Sequence, residues 1–148
     1  MKAVIQRVSY AKVEVENKIV GNIDKGLLVF VGIGNEDVIA DLEWMAKKLI
    51  ALRIFNDADD KMNLSISDVG GDLLIVSQFT LMADCKKGNR PSYIAAAPPT
   101  ISEPLYNQFL EILKKQFPGK IETGIFGANM KITLLNDGPV TILLDSKN

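Results

Sequence analysis

The sequence predicts an α+β fold, one domain in which a curved mixed or antiparallel sheet packs with two main helices. Three observations lead there. Gly26-Leu27-Leu28-Val29-Phe30-Val31-Gly32-Ile33 and Leu73-Leu74-Ile75-Val76 are continuous apolar runs flanked by glycines, the pattern of strands buried on both faces. Several shorter stretches alternate apolar and polar residues, as half-buried strands do. Only two stretches repeat apolar residues at helical spacing, and they do not alternate strictly with the strands. At 148 residues, the expectation is a single domain over 1–148, burying roughly 68–70% of the surface of its unfolded chain.

Taken in order, Ala3 to Val8 and Lys12 to Val15 read as two strands, and Asn17-Lys18 as a turn into a short Ile19-Val20 strand. The first apolar run follows. Asn35 is then placed to cap a helix whose first turn carries Glu36 and Asp37, suited to the positive end of the helix dipole. Val38, Leu42, Met45, Leu49 and Leu52 make its apolar face, with Trp44 at the edge. Arg53 to Phe55 and Met62 to Ile66 read as short strands around a charged turn. Gly70-Gly71 leads into the second apolar run. Ala83 to Pro99 is too long for a simple connector. Ser102 and Pro104 open a second helix with Leu105, Phe109, Ile112 and Leu113 inward, ended by Phe117-Pro118-Gly119. Ile121 to Phe126, Met130 to Leu135 and Val140 to Leu144 complete the strands, with Asn136-Asp137-Gly138-Pro139 separating the last two.

Composition narrows the chemistry. There is no histidine, which removes Ser-His-Asp and Cys-His nucleophiles and any His-ligated metal. A single cysteine excludes an internal disulfide and suits a reducing compartment. The N-terminal stretch lacks the long apolar run of a signal peptide, and no window approaches a membrane span of ~20 apolar residues. The expected location is the cytoplasm. A net charge of −1 argues against a broad surface tracking duplex nucleic acid, so DNA is not an expected partner. A small footprint on the end of a nucleic acid stays compatible with that charge.

Several motifs carry bland readings. Gly32-Ile33-Gly34 sits where a dinucleotide fingerprint would begin, but Asp37 occupies the third glycine's place and the acidic pair would repel a pyrophosphate, leaving a strand-to-helix turn. Asp57-Ala58-Asp59-Asp60 starts like a calcium loop and lacks its glycine, so a solvated turn is the better reading. Cys85 is followed by Lys86 and Lys87, whose charge would favour a thiolate, but without a histidine partner an incidental loop cysteine is the better reading. Lys86, Lys87 and Arg90 form a small basic cluster that could meet a phosphate.

Two motifs are harder to dismiss. Ser77-Gln78-Phe79-Thr80-Leu81 ends the central apolar strand with polar residues, and burying an unpaired hydroxyl or amide costs about 1–3 kcal/mol. They are either satisfied locally or face a pocket. In Asn136-Asp137-Gly138-Pro139 a proline follows the Asp-Gly pair that normally makes a hairpin. An X-Pro bond adopts cis at a cost of only ~0.5–1 kcal/mol, and a cis bond there would make a rigid backbone device.

Together these stretches resemble the D-aminoacyl-tRNA deacylase family. The matching residues are Gln6-Arg7-Val8, Lys61-Met62-Asn63, Ser77-Gln78-Phe79-Thr80-Leu81, Gly88-Asn89-Arg90-Pro91-Ser92 and Asn136-Asp137-Gly138-Pro139-Val140-Thr141, spread along almost the whole chain. The resemblance implies a barrel-like closure of the sheet and a homodimeric hydrolase acting on the aminoacylated 3′ end of tRNA, with neither metal nor cofactor. It implies that Ser77, Gln78, Phe79 and Thr80 form the catalytic wall, with backbone groups near Phe79 and Thr80 stabilising the oxyanion. The 2′-OH of the terminal adenosine would help activate water in place of a Thr80 nucleophile. It further implies that Gly138-Pro139 is cis and enters the partner subunit's site to exclude L-aminoacyl side chains. Glycyl esters, including glycine mischarged on alanine tRNA, would then be substrates too. Phe126 and Met130 match positions lining the adenosine pocket. Two other readings remain at this point: an editing deacylase of relaxed stereospecificity with a trans Gly138-Pro139 bond, and an RNA-end binding module without chemistry.

Overall fold

The computed structural model describes residues 1–148. Its longest strands, β1 (Lys2–Val15) and β8 (Lys131–Asp145), run antiparallel over most of their length. On its other side β1 pairs first with β3 (Gly26–Gly32) and then with β2 (Lys18–Ile23). β6 (Asp72–Ser77) lies parallel to β3, and β7 (Ile121–Thr123) parallel to β6. β7 comes back towards β2, where the Lys120 ammonium donates to the Asn22 carbonyl at 3.0 Å. The mixed sheet is thereby nearly closed into a barrel. β4 (Phe55–Asn56) and β5 (Met62–Leu64) form a separate small ribbon.

The two glycine-flanked apolar runs are β3 and β6, and their lack of alternation has a direct cause. Leu27, Val29, Val31, Leu73 and Ile75 point to the helices, where they meet Leu42, Met45 and Leu49 of α1 (Ile39–Ala51) and Phe109 and Leu113 of α2 (Pro99–Gln116). Leu28, Leu74 and Val76 point the other way, into a barrel interior filled by Val8, Ala11, Val13 and Ile23. Both faces of the strands are therefore buried.

Several expected boundaries differ. The two strands read in Ala3–Val15 are one, β1. The first helix starts at Ile39, after Val38 as N-cap, and the Asp41 carboxylate takes the Val38 N–H at 2.8 Å. Asn35, Glu36 and Asp37 lie before it. Asn35 donates its side-chain amide to the Ile94 carbonyl at 2.7 Å, and Asp37 accepts from the Gly34 N–H (2.7 Å) and the Met1 ammonium. These long-range partners outcompete the local capping that the sequence suggests. The second helix begins three residues before Ser102, with Pro99 in its first turn.

The last difference is the largest. Asn136–Pro139 does not separate two strands but sits inside β8. Gln6 pairs with Thr141 and Val8 with Asn136, so Asp137, Gly138, Pro139 and Val140 bulge out opposite Arg7 alone. A bulge leaves the extra residues outside the ladder and re-aims the backbone, which is where a proline without an N–H is tolerated.

Candidate active site

β6 ends at Ser77, and Gln78 donates its N–H to the Val31 carbonyl at 2.7 Å, extending the sheet by one bond. The chain then makes a single 3₁₀ turn, Phe79–Met82, closed by the Leu81 N–H on the Gln78 carbonyl at 3.2 Å. Residues ahead of the first bonded donor have no carbonyl one turn back, so the Phe79 and Thr80 N–H groups lack a partner within the turn. The turn packs tightly on the end of β3. A Cβ on Gly32 would stand 2.9 Å from the Leu81 Cβ and 3.0 Å from the Gln78 carbonyl oxygen, so only glycine admits this approach.

Beside the turn opens a cleft of about 510 Å³, within the range of small-molecule sites. Ser77, Gln78 and Phe79 form one wall, and the segment from Phe126 to Met130 forms the other. The floor is made by α2. There the buried Tyr106 packs its ring against Phe126, centroids 5.7 Å apart, and donates its hydroxyl to the Ile75 carbonyl at 3.1 Å. Burial holds the Tyr106 phenol protonated, far above its usual titration range. The Phe79 ring, 58% exposed, stands at the rim edge-on to Tyr93 at 5.1 Å.

The structure thus brings Ser77, Gln78, Phe79, Phe126 and Met130 into one cleft. Thr80 is in the turn but does not line the cleft. Its hydroxyl accepts a 2.5 Å bond from the Gln78 side-chain amide, a donor that cannot take a proton. No Asp, Glu, Lys or Arg lines the cleft, and Tyr106 is its one ionisable side chain. The cleft can offer shape, apolar surface and backbone donors, and no side-chain base for neutral pH.

Gly138 and Pro139 do not line this cleft. They lie exposed on the β8 bulge, joined by a cis peptide bond. Asn136 closes the bulge at its neck, accepting the Val140 N–H at 2.8 Å and donating to the Val140 carbonyl at 3.1 Å. Arg7 holds it from beneath. Its buried guanidinium donates to the Asp137 carbonyl (2.8 Å), the Ile54 carbonyl (2.7 Å) and the Asn56 side-chain oxygen (3.2 Å). Sequence reasoning noted Arg7 only within a motif and missed Tyr106. A buried arginine carries no signal in a strand pattern, because its partners come from Ile54, Asn56 and Asp137.

The other candidates find ordinary places. The Asp57 carboxylate is engaged by its own turn, accepting from the Asp59 N–H (2.9 Å), the Lys61 N–H (3.0 Å) and the Asn63 amide (2.7 Å). Gly32-Ile33-Gly34 is a strand end on the way to α1, and Cys85 is an exposed free thiol. No helix is long and apolar enough to cross a membrane.

Comparison with known proteins agrees with this architecture. Residues 4–145 match the family model described as D-Tyr-tRNA(Tyr) deacylase. The D-aminoacyl-tRNA deacylase of Flavobacterium johnsoniae is 57% identical over 148 residues, covering 100% of this chain and 99% of the relative. That of Thermosipho africanus is 58% identical over 147 residues, covering 99% of this chain and 98% of its own. Among solved structures, a protein named c-Myc DNA Unwinding Element Binding Protein superposes with a TM-score of 0.94 at 43% identity, over 98% of both chains. A probable eukaryotic D-amino acid tRNA deacylase superposes with a TM-score of 0.80 at 18% identity over 97% of both, a likeness of fold. With a family model spanning nearly all of its length and relatives above half identity end to end, the chain belongs to the D-aminoacyl-tRNA deacylase family, hydrolases of aminoacyl-tRNA.

Proposed function

We propose that the cleft receives the terminal adenosine and D-aminoacyl group of charged tRNA, and that a second copy of the chain supplies Gly138-Pro139 to complete it. One observation carries the reading: the cleft holds no side chain able to act as a base near pH 7. An aminoacyl ester is already activated, and the neighbouring 2′-OH of the adenosine can help direct water onto it. The Phe79 and Thr80 N–H groups then meet the developing oxyanion, and one such donor is typically worth ~2.7–4 kcal/mol. Phe126 and Met130 offer apolar surface for the adenine, as base-stacking sites do.

Chiral selection falls to Gly138-Pro139. A rigid backbone wall rejects an L side chain by steric clash and admits D-aminoacyl and glycyl groups, including glycine mischarged on alanine tRNA. Because Gly138 and Pro139 do not line their own cleft, the wall comes from a partner. β8 suits that role, since it is a sheet edge paired only to β1 with Leu135 (52%) and Leu143 (75%) exposed. Such an edge is normally covered. A homodimer proofreading charged tRNA would work in the cytoplasm.

The test is a paired assay on D- and L-tyrosyl-tRNA. Hydrolysis of the D ester with the L ester left intact by ~10⁴-fold, about 5.5 kcal/mol, is the expected result. Equal rates on both would sink the chiral reading, and sedimentation as a monomer at assay concentration would sink the shared site. Thr80→Ala should lower the rate no more than ~10-fold, since it removes one hydrogen bond worth ~0.5–1.5 kcal/mol. Complete loss with an intact fold would restore the hydroxyl as nucleophile.

A further inference from the structure

Between the cleft turn and α2 the chain makes a feature that the chemistry above does not use. Asp84 and Ser92 exchange backbone hydrogen bonds of 2.8 and 2.9 Å, closing a short hairpin over the residues between them. Its tip carries Lys86, Lys87 and Arg90, all exposed. None of the three forms an ion pair, although Lys12, Lys114 and Lys120 each find a carboxylate within three residues. The hairpin's one carboxylate, Asp84, is engaged at its base by the Lys86 N–H at 2.8 Å, and no other acid occurs before Glu103. In a chain of net charge −1, this is an isolated positive point.

It is also a fixed one. The hairpin leaves directly from the turn Phe79–Met82 and returns through Tyr93, whose ring rests on Phe79 at the cleft rim. Asn35 fastens the next residue by donating to the Ile94 carbonyl at 2.7 Å. Arg90 is three residues from Tyr93, a separation of no more than about 10 Å even when extended. The cluster therefore stands beside the rim of a cleft that no Lys or Arg lines.

We propose that Lys86, Lys87 and Arg90 bind phosphates of the tRNA strand just upstream of its terminal adenosine, supplying affinity and orientation without taking part in chemistry. The inference rests on the reading that the cleft holds that adenosine. Lysine and arginine contacts of this kind are indifferent to base sequence and weaken with salt, each contact on a single strand adding ~0.7 to the slope of log affinity against log salt.

The test compares wild type with the triple variant K86Q/K87Q/R90Q on two substrates, full-length D-tyrosyl-tRNA and 3′-O-D-tyrosyl adenosine, which has no upstream phosphate. The variant is expected to lose ~10-fold or more in kcat/KM on the tRNA, with a salt slope shallower by about 2, and to match wild type on the adenosine ester. K86R/K87R should retain wild-type behaviour, because charge and not shape is read. Equal losses on both substrates, or no loss on the tRNA, would overturn the proposal. Affinity for uncharged tRNA gives a second readout by fluorescence anisotropy, so a protein that cleaves no ester would refute the cleft assignment and still report on the hairpin. An equal loss of affinity for duplex DNA would mark a general polyanion patch and overturn the assignment to the tRNA strand.

Discussion

Gly138→Ala is expected to reduce hydrolysis of D-tyrosyl-tRNA by ~100-fold or more while leaving the protein folded. Gly138 has φ +148°, a region that a residue with a side chain rarely enters. A Cβ there would stand 2.8 Å from the Val140 backbone nitrogen, 2.7 Å from the Val140 Cγ2 and 3.2 Å from Arg7 Nη2. The Val140 nitrogen cannot step aside, because its N–H is held by Asn136 across the neck of the bulge. The bulge itself must therefore shift. In the proposed site the bulge is the wall against which the substrate is aligned, and a displacement near 1 Å in such a positioning element costs ~10²-fold. Strain of this kind amounts to ~1–3 kcal/mol and lowers the melting temperature by several degrees, about 2–4 °C per kcal/mol for a chain of this size. Kinetics on the D ester together with thermal melting check the result. Wild-type rates with a lowered melting temperature would remove Gly138 from the site and leave it a purely structural glycine.

What could be read from the sequence follows a physical line. β3 and β6 were legible because burial on both faces writes an unbroken apolar run, and α1 and α2 because burial on one face writes a 3.6-residue period. The polar end of β6 stood out because its residues had either to be satisfied locally or to face a pocket; Gln78 and Thr80 bond each other, and Ser77 and Gln78 line the cleft. Features set by distant partners were not. The start of α1 was misplaced because Asn35 and Asp37 have the chemistry of caps, whereas the fold spends them on Ile94 and Met1. β8 read as two strands because its continuity comes from pairing with β1 on both sides of a bulge, at the far end of the chain. The far wall of the cleft, Phe126 and Met130, came from the family resemblance, since neither residue differs in sequence pattern from an ordinary strand side chain. That Gly138 and Pro139 are exposed on a bulge and do not line the cleft is seen only in the structure.

Arg7 is where fold and site meet, and Arg7→Met is expected to destabilise the protein by about 3–5 kcal/mol. Methionine keeps much of the apolar stem, so the change isolates the guanidinium. What is lost is a set of donors to three segments: the Ile54 carbonyl before β4, the Asn56 side chain in β4, and the Asp137 carbonyl at the foot of the bulge. Hydrogen bonds from charged donors are worth ~1.5–3 kcal/mol, and each buried acceptor left without one adds to the loss. The carboxylate of Asp137 contributes little, since it lies 3.9 Å away and is more than half exposed. Lysine should not rescue the variant. The Ile54 and Asp137 carbonyls are reached by different nitrogens of one planar fork, and a single ammonium cannot occupy both places. Urea denaturation of wild type, Arg7→Met and Arg7→Lys measures this directly, with both variants falling well below wild type. The kinetic consequence separates scaffold from site. If Arg7 only stiffened the core, the folded fraction of either variant would hydrolyse D-tyrosyl-tRNA at the wild-type rate. Because it pins the foot of the bulge, kcat should fall in the fully folded protein, below the denaturation transition, and D-over-L preference should fall with it as the proposed Gly138-Pro139 wall loosens.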